Sequence, residues 1–322
     1  MRGQNTFSPA QLRSELLPLD LNGPPQPAPS ELGNYLRFFD LNLSQDNSGL
    51  SHRVGYLTSG PYQIALQLFE PVAPRGTAVV CHGYYDHVGL YGHLIRYLLT
   101  HKLTVVAFDL PGHGLSSGQP ATIEDFGSYG QALESCLTAV HGLVPEPWHI
   151  LGQSLGGSVV LEYLARAERD RGAEHRKFNE IVLFAPLVRP ALWPINRVFF
   201  EILKRTADER PRTFTNNAEN SEFLALVRLD PMQATVLPVQ WVSALITWMN
   251  RFEKYRRLPD NMKIIQGHTD RTVGWRYNLK LLDRMCEPQV LHLPTARHHL
   301  VNEAEPLRRQ MWQWLDECCK WG

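Results

Sequence analysis

Six short runs of apolar residues constrain the fold of this chain more than any other feature of its sequence. They are TAVVCH (77–82), LTVVAFDL (103–110), WHILGQ (148–153), EIVLFAP (180–186), MKIIQG (262–267) and QVLHLP (289–294). None of them alternates apolar with polar residues as a half-exposed strand does. Strands of this kind are buried on both faces, which is typical of parallel sheets that helices cover on either side.

Helical patterns separate these runs, for example over residues 87–100, 123–140 and 158–169. Strands that alternate with helices form βαβ units, and a series of such units makes a doubly wound sheet. Before the series, the runs 54–59 and 62–71 are rich in strand-forming residues, and the second one alternates apolar with polar or small residues, as an antiparallel pair does. The predicted fold class is therefore α/β, with a mostly parallel doubly wound sheet.

The alternation of strands and helices breaks once, between residues 187 and 259. Two helical patterns, 193–205 and 238–255, follow each other there with no strand between them, and Pro238 suits the first position of the second helix. At the other end, residues 1–50 are rich in Pro, Asn, Ser and Gln. The predicted division is an N-terminal extended arm (1–50), a core (51–186 and 260–322) and an inserted helical cap (187–259).

A serine stands at the carboxyl end of one predicted strand, in Gly152-Gln153-Ser154-Leu155-Gly156. The apolar run WHIL precedes this segment and a helical pattern follows it, so Ser154 falls on a sharp strand-to-helix turn. Such a turn needs glycines two residues on either side of the serine, because strand and helix pass close together there. The pattern alone is common, but its position favours Ser154 as a nucleophile over an incidental serine in a glycine-rich turn.

A nucleophilic serine needs a histidine to take its proton and a carboxylate to orient that histidine, in the chain order serine, acid, histidine. Asp270 follows the run MKIIQG directly and is the predicted acid, although an aspartate there also suits a helix cap. The competing acids, Asp230, Asp260 and Asp283, lie beside prolines or within a helical pattern.

Two histidines, His298 and His299, follow the last predicted strand and both are candidates for the base. Spacing alone does not decide between them, and His298 is the favoured choice. The reaction also needs N–H donors for an oxyanion, usually from the residue after the nucleophile and from the loop after an early strand. These donors are predicted to be Leu155 and Tyr84, where Gly83 permits the turn that directs the Tyr84 N–H inward.

Charge and cysteine content restrict the partners and the compartment. The chain has 32 Lys and Arg against 32 Asp and Glu, so no overall basic field would gather nucleic acid, and a small-molecule partner is expected. Its five cysteines are scattered, without metal-ligand spacing, and no secretion signal is evident near the first residue. The longest apolar region, 236–252, is interrupted by polar residues. A cytoplasmic protein is predicted.

The longer motifs resemble the α/β-hydrolase subgroup that includes monoacylglycerol lipases and lysophospholipases, often called serine aminopeptidase-like hydrolases. They are VVCHGYYDHVGLYGHLIRYL, VVAFDLPGHGLSSG, ILGQSLGGSVVLEYL, LDPMQATVLPVQWVSAL, KIIQGHTDRTVGWRYN and ARHHLVNE. The resemblance implies an α/β-hydrolase fold and a Ser154, Asp270 and His298 triad with Tyr84 and Leu155 as oxyanion donors. In the closing motif of that family the catalytic histidine stands five residues before a glutamate, which here is Glu303.

The expected activity is hydrolysis of a carboxylic ester through an acyl-enzyme, without metal or organic cofactor. An acyl-lipid substrate is favoured, since apolar cap residues are expected to wall a pocket; they are Trp193, Phe199, Phe200, Trp241, Leu245, Trp248 and Phe252. Residues 193–205 segregate apolar and basic side chains, which allows a peripheral contact with membranes. An aminopeptidase, with Glu219 and Glu222 holding an ammonium group, and a catalytically silent binding protein are the alternatives.

Overall fold

The computed structural model describes residues 6–23, 26–43, 49–169 and 177–322. Within these ranges, eight strands form one sheet in the order β1-β2-β4-β3-β5-β6-β9-β10. The strands are β1 (Ser51–Ser59), β2 (Tyr62–Glu70), β3 (Gly76–Cys81), β4 (Leu103–Phe108), β5 (Trp148–Gln153), β6 (Glu180–Phe184), β9 (Met262–Gly267) and β10 (Gln289–Leu293). Six of these strands lie in the order β4-β3-β5-β6-β9-β10, which is that of a doubly wound sheet.

Helices cover both faces of this sheet. The helices within the described ranges are α1 (Pro9–Glu15), α2 (Leu32–Phe38), α3 (Gly92–Thr100), α4 (Gly127–Val140), α5 (Leu155–Arg169), α6 (Trp193–Leu203), α7 (Ser221–Leu229), α8 (Val239–Phe252), α9 (Trp275–Cys286) and α10 (Glu305–Cys318). Short 3-10 turns at Val88–Tyr91 and Leu300–Asn302 precede α3 and α10. No helix within the described ranges combines the length and the apolar character needed to cross a bilayer.

The strands are buried on both sides, as their unbroken apolar runs predict. Along β4, Val106 and Phe108 belong to one hydrophobic cluster, which contains the inner faces of α4, α5, α8 and α9. Val105 and Ala107 belong to a second cluster, with the inner faces of α1, α2, α3 and α10. Successive side chains of a strand point to opposite faces, so each of these central strands contributes to two cores at once.

The predicted antiparallel pair is confirmed as β1 and β2, and β2 also lies antiparallel to β4. The remaining neighbours in the sheet are parallel. The predicted mostly parallel α/β sheet is thus confirmed. It brings the carboxyl ends of β3, β5, β9 and β10 to one edge, where the loops that follow these strands meet.

The first fifty residues differ from the expected extended arm. They contain α1 and α2, whose inward side chains Leu12 and Tyr35, with Phe39, are buried in the second cluster. Ser8 begins α1, and its hydroxyl accepts a hydrogen bond from the Gln11 N–H. Each helix has only seven residues, too few for a clear helical period among the flanking prolines. Residues 1–5, 24–25 and 44–48 of the predicted arm lie outside the described residues.

Between β6 and β9 lies an inserted segment, residues 187–259, that adds no strand to the main sheet. It holds α6, α7 and α8 and a separate antiparallel pair, β7 (Glu209–Pro211) with β8 (Val236–Pro238). The prediction of no strand between the two helices is therefore wrong, because these strands have three residues each, too short for an alternation. Pro238 is the N-cap of α8 and not its first helical residue.

Candidate active site

Ser154 lies on the turn between β5 and α5, in the left-handed backbone region with φ of 53°. A non-glycine residue rarely adopts this conformation, which orients the side chain away from the strand and the helix. The flanking glycines permit the turn: a Cβ on Gly152 would lie 2.6 Å from the carbonyl oxygen of Gly156, and a Cβ on Gly156 would overlap the carbonyl of Cys81. The predicted strand-turn-helix setting of Ser154 is present in the structure.

Ser154, His298 and Asp270 form one hydrogen-bonded chain. The His298 Nε2 lies 2.9 Å from the Ser154 Oγ, and the His298 Nδ1 lies 2.8 Å from the Asp270 Oδ2. Ser154, His298 and Asp270 are 7%, 6% and 7% exposed, so bulk water has little access to these bonds. Because a carboxylate can only accept, Nδ1 carries the proton and Nε2 is free to accept one from the serine hydroxyl.

Asp270 is held as an anion by its surroundings. Its Oδ1 accepts hydrogen bonds from the backbone N–H groups of Thr272 (2.8 Å) and Val273 (3.1 Å), and its Oδ2 accepts one from Gln266. Burial by itself raises the pKa of this carboxyl, but the facing His298 and the backbone donors outweigh it and lower the pKa below its ordinary value. Asp270 therefore orients the histidine and also caps the turn that leads into α9.

The loop after β3 brings the Tyr84 N–H to the same edge as the Leu155 N–H, the first of α5. Neither N–H has a hydrogen-bond acceptor among the described residues. The loop is fixed at Gly83, whose N–H donates to the Tyr91 hydroxyl and whose carbonyl accepts from the His82 Nδ1 (both 2.8 Å). Burial, followed by the neighbouring His113, lowers the pKa of His82 to about 3, so this ring is neutral.

The competing side chains have other partners. The His299 Nε2 bonds to the Asp86 Oδ2 at 3.0 Å, and Asp230 forms a buried pair with the Nε2 of His87 at 2.8 Å. Asp260 and Asp283 are exposed and distant from the serine loop in the sheet. Of the two adjacent histidines, the structure brings only His298 within hydrogen-bond distance of Ser154.

Sequence reasoning missed Gln153, the residue before Ser154. Its side-chain amide donates to the backbone carbonyl of His298 at 3.0 Å, and both groups are buried. This bond ties the loop after β5 to the loop after β10. No local pattern signals it, because the two residues are 145 positions apart and meet only through the order of strands.

A mainly apolar cavity of about 450 Å³ opens from Ser154 toward the inserted segment. Five of the seven residues predicted to wall a pocket line it: Trp193, Phe199, Phe200, Trp241 and Leu245. The other two, Trp248 and Phe252, are buried in the core instead, where the Trp248 Nε1 donates to Glu162. The prediction for these two residues is wrong, because the helical period places them on the inner face of α8 one and two turns beyond the cavity.

A second cavity, of about 520 Å³, meets the first at Ser154 and is more polar. His298 lines this second cavity and does not line the first. Its lining includes Asp86, Arg212, Arg228 and Arg271, and Arg212 also lines the first cavity, together with Arg210. The serine thus stands where a mainly apolar branch, the first cavity, joins a more polar branch, the second cavity, and the histidine lies on the polar side.

The doubly wound sheet with its inserted segment, and a serine on a sharp turn after the fifth strand, define an α/β hydrolase. Residues 72–305 match the family model described as Hydrolase_4: Serine aminopeptidase, S33. This match spans well over half of the 322 residues. The chain belongs to this family, which confirms the resemblance inferred from its motifs.

Known lipases are similar to this chain over part or most of its length. It is 27% identical to the monoacylglycerol lipase of Mycolicibacterium smegmatis over 259 residues, which cover 76% of this chain and 89% of that protein. It is 33% identical to the monoglyceride lipase of Rattus norvegicus over 116 residues, 36% of each chain. A soluble variant of the monoglyceride lipase of Saccharomyces cerevisiae, solved with a substrate analogue, superposes with a TM-score of 0.68 at 15% identity over 84% of this chain and 96% of its own.

Proposed function

We propose that this chain hydrolyses carboxylic esters of acyl lipids through an acyl-enzyme on Ser154. The observation that carries the proposal is the position of His298, whose ring bridges the Ser154 Oγ and the Asp270 carboxylate at 2.9 and 2.8 Å. A histidine held in this way accepts the serine proton in the attack and returns it to the leaving group.

The reaction has two halves, formation of the acyl-enzyme and its hydrolysis. In the first, the Ser154 Oγ bonds to the ester carbonyl carbon while its proton passes to the His298 Nε2, and that proton then moves to the alcohol oxygen as the ester C–O bond breaks. In the second, His298 takes a proton from water as the water oxygen bonds to the acyl carbon. The proton returns to Ser154 as the acid leaves. Asp270 stabilises the imidazolium that forms in each half.

The oxyanion of each tetrahedral intermediate needs donors that are already in place. The N–H groups of Leu155 and Tyr84 are suited to this role because no described residue accepts a hydrogen bond from them. The N-terminus of α5 adds its partial positive charge at the same point.

The apolar branch supports an acyl chain as the part of the substrate beyond the carbonyl carbon. Its five aromatic and aliphatic walls come from α6 and α8 of the inserted segment. Removing an acyl chain from water favours binding by about 0.8 kcal/mol per buried CH₂. The names of the relatives, monoacylglycerol lipase and monoglyceride lipase, agree with such a substrate. We propose that residues 187–259 form a cap over the core of 51–186 and 260–322.

An aminopeptidase would need carboxylates near Ser154 to hold the substrate ammonium group. The two glutamates considered for this do not line either branch: Glu219 pairs with Arg297 at 2.6 Å, and Glu222 borders a separate hollow beside α3. The arginines that line the two branches would repel an ammonium group. These contacts favour an ester substrate, and the complete Ser154, His298 and Asp270 chain favours an enzyme over a silent binding protein.

The test uses purified protein, p-nitrophenyl butyrate, a monoacylglycerol, an aminoacyl amide and a fluorophosphonate probe. We expect Ser154→Ala to lose labelling and at least about 10³-fold of kcat, and Asp270→Asn to lose about 10³- to 10⁴-fold. Ser128→Ala and Asp283→Asn, which alter residues outside both cavities, serve as matched controls. Equal labelling of wild type and Ser154→Ala, or faster turnover of the amide than of the esters, overturns the proposal.

We further propose that the start of the cap rests on lipid surfaces. Leu192, Ile195 and Val198 follow one another at helical spacing and are 71%, 67% and 64% exposed. Leu192 directly precedes α6, and Ile195 and Val198 stand on its outside, while Trp193 and Phe200 line the apolar branch from the same helix. An apolar outer face next to the opening of an acyl-binding cavity suits a helix that lies in a membrane interface.

A further inference from the structure

Tyr85, the residue after the proposed oxyanion donor Tyr84, has a left-handed backbone with φ of 68°. A bulky residue adopts this conformation at a cost in free energy, so other contacts must hold it there. Both neighbours of Tyr85 are anchored. The ring of Tyr84 stacks on Trp241 with the centroids 3.8 Å apart, and the Asp86 carboxylate accepts a hydrogen bond from the Tyr91 hydroxyl at 3.0 Å. The strain therefore lies between two fixed residues, in the loop that presents the Tyr84 N–H.

The inserted segment supplies two contacts that hold Tyr85. The Tyr85 hydroxyl donates to the backbone carbonyl of Val236, in β8, at 3.1 Å. The guanidinium of Arg212, the residue after β7, lies 3.9 Å over the Tyr85 ring and 4.4 Å over the ring of Phe214. A flat cation over an aromatic face is attracted to it, and here two faces share the cation. The short β7 and β8 pair thus fixes the side chain of the strained residue.

Arg212 is itself held by polar contacts that lead back to the same loop. Its Nη1 donates to the Gln233 Oε1, and the Gln233 Nε2 donates to the Asp230 Oδ2, both at 2.6 Å. The Asp230 Oδ2 lies 2.8 Å from the Nε2 of His87, which stands two residues after Tyr85. The loop is therefore attached to the inserted segment at two points, and the contacts between these points form a closed ring.

From this arrangement we propose that Tyr85 is a positioning residue, through which the inserted segment completes the oxyanion hole. The inference rests on the proposed function and deepens it. The contacts with Val236 and Arg212 offset the strain at Tyr85, so that the turn keeps the Tyr84 N–H at the edge where Leu155 presents its own. Without them the loop relaxes toward negative φ and moves this donor. A displaced donor stabilises the oxyanion less, and the chemical step slows.

Three substitutions at Tyr85 separate the strain from the loss of the ring. Tyr85→Ala removes both contacts and still needs a positive φ, so we expect kcat for p-nitrophenyl butyrate to fall about 10- to 100-fold. Tyr85→Gly removes the same contacts but adopts a positive φ without strain, and it should retain about fivefold more activity than Tyr85→Ala. Tyr85→Phe loses only the bond to Val236 and should lose about two- to fivefold. Equal activity of the Ala and Gly variants would contradict the role of the strain.

An inhibitor that forms an oxyanion gives a readout that a purely structural role would not move. A trifluoromethyl ketone adds to a catalytic serine as a tetrahedral adduct with a negative oxygen, whereas an alkyl ether of the same length binds without reacting. In Tyr85→Ala, we expect the Ki of the ketone to rise by about the same factor as kcat falls, and the Kd of the ether to change less than about threefold. Equal losses for ketone and ether would overturn the proposal.

Arg212→Met tests the link to the inserted segment, because it keeps an unbranched side chain and removes the guanidinium. We expect it to lower kcat about five- to twentyfold, and the double variant with Tyr85→Ala to be no slower than Tyr85→Ala, since both changes break the same contact. Losses that multiply would show independent roles and exclude the link. Tyr255→Ala and Arg197→Met alter residues of the inserted segment outside both cavities and serve as matched controls.

Urea unfolding checks that each variant is folded. If Tyr85→Ala is not, the constants for ketone and ether in Tyr85→Phe and Arg212→Met decide, and both variants should lose affinity for the ketone alone. If wild type cleaves p-nitrophenyl butyrate in a Ser154-dependent manner and the folded Tyr85 variants keep the wild-type kcat, the inference is wrong and the proposed function stands. If wild type cleaves no ester in a Ser154-dependent manner, both are wrong.

Discussion

The side-chain amide of Gln153 donates a hydrogen bond to the backbone carbonyl of His298, at 3.0 Å. Gln153, directly before the proposed nucleophile, thereby holds the residue proposed as the base, across two strands of the sheet. The bond sets the distance between the two loops, so that the short contact between the Ser154 Oγ and the His298 Nε2 does not depend on the side chains alone.

Replacing Gln153 with Met is expected to lower kcat about tenfold and to change KM less than twofold. The side chain keeps its length, but the carbonyl of His298 loses its donor and the loop is free to shift, and small displacements of a base reduce catalysis strongly. Kinetics with p-nitrophenyl butyrate measure this. Gln131→Met, on the exposed side of α4, is the control. A Gln153→Met variant with wild-type kcat would show that the bond does not position the histidine.

The His87 and Asp230 pair is expected to make stability depend on pH. It joins the loop before α3 to the inserted segment, with side chains only 1% and 0% exposed. Burial lowers the pKa of His87, but Asp230 outweighs this and raises it above its ordinary value; likewise burial raises the pKa of Asp230, and His87 outweighs this and lowers it. The pair thus stabilises the fold most between the ordinary pKa values of 3.8 and 6.5.

Above pH 6.5 the free energy of unfolding of the wild type should decrease as the pH rises through the raised pKa of His87. Below pH 3.8 it should decrease as the pH falls through the lowered pKa of Asp230. His87→Gln should cost about 3–5 kcal/mol near pH 6, because Asp230 is left buried and unpaired, and should flatten the alkaline loss. Urea unfolding at several pH values measures both. The control, His101→Gln, removes a partly exposed pair with Asp316 and should cost at most about 1 kcal/mol. An unchanged alkaline slope in His87→Gln would contradict the assignment.

Gly156→Ala is expected to destabilise the protein by about 3 kcal/mol. The added Cβ would overlap the backbone of Cys81 and lie 2.7 Å from the His82 carbonyl oxygen, and backbone atoms cannot move aside as a flexible side chain can. Gly33→Ala in α2 is the control, since its Cβ would come no nearer than 3.6 Å to Arg37, and it should be neutral or stabilising by up to about 1 kcal/mol. Thermal and urea unfolding distinguish the two; equal stabilities would exclude a close approach of α5 and β3.

Replacing both Ile195 and Val198 with Ser is expected to reduce binding to lipid vesicles at least tenfold in a sedimentation assay. About 0.8 kcal/mol is lost for each CH₂ that no longer enters the interface. Turnover of p-nitrophenyl butyrate should stay within twofold, because neither side chain lines a branch of the site. Val72→Ser removes an equally exposed apolar side chain far along the sheet and serves as the control. Unchanged sedimentation would exclude this face as the lipid contact.

The sequence predicts well what depends on local pattern. Strands that are buried on both faces do not alternate apolar with polar residues. The run over 103–108 can therefore be identified as a central strand without any knowledge of its neighbours. The setting of Ser154 is similarly local, because the glycines beside it reflect the close passage of β5 and α5. The positions of Asp270 and His298 follow from a single rule, that the carboxyl ends of parallel strands share one edge.

What the sequence does not reveal depends on which loops meet. Gln153 and His298, or Arg212 and the ring of Tyr85, are far apart along the chain and come together only through the strand order and the path of the inserted segment. Short elements are equally hidden: β7 and β8 have three residues each, and α1 and α2 seven, so none of them covers two periods of its own pattern.

The first two strands carry a consequence for any shortened form of this protein. The family match begins at residue 72, after the end of β2, although β2 is bonded along β4 and although α1 and α2 pack beneath the sheet. Truncation at the family boundary would remove β1 and β2 from the sheet. It would leave β4 with unpaired N–H and carbonyl groups, and it would expose the apolar face that α1 and α2 cover. Such a fragment would pair edge to edge with other chains and aggregate. Its enzymatic activity could then not be measured, because the protein would not stay in solution.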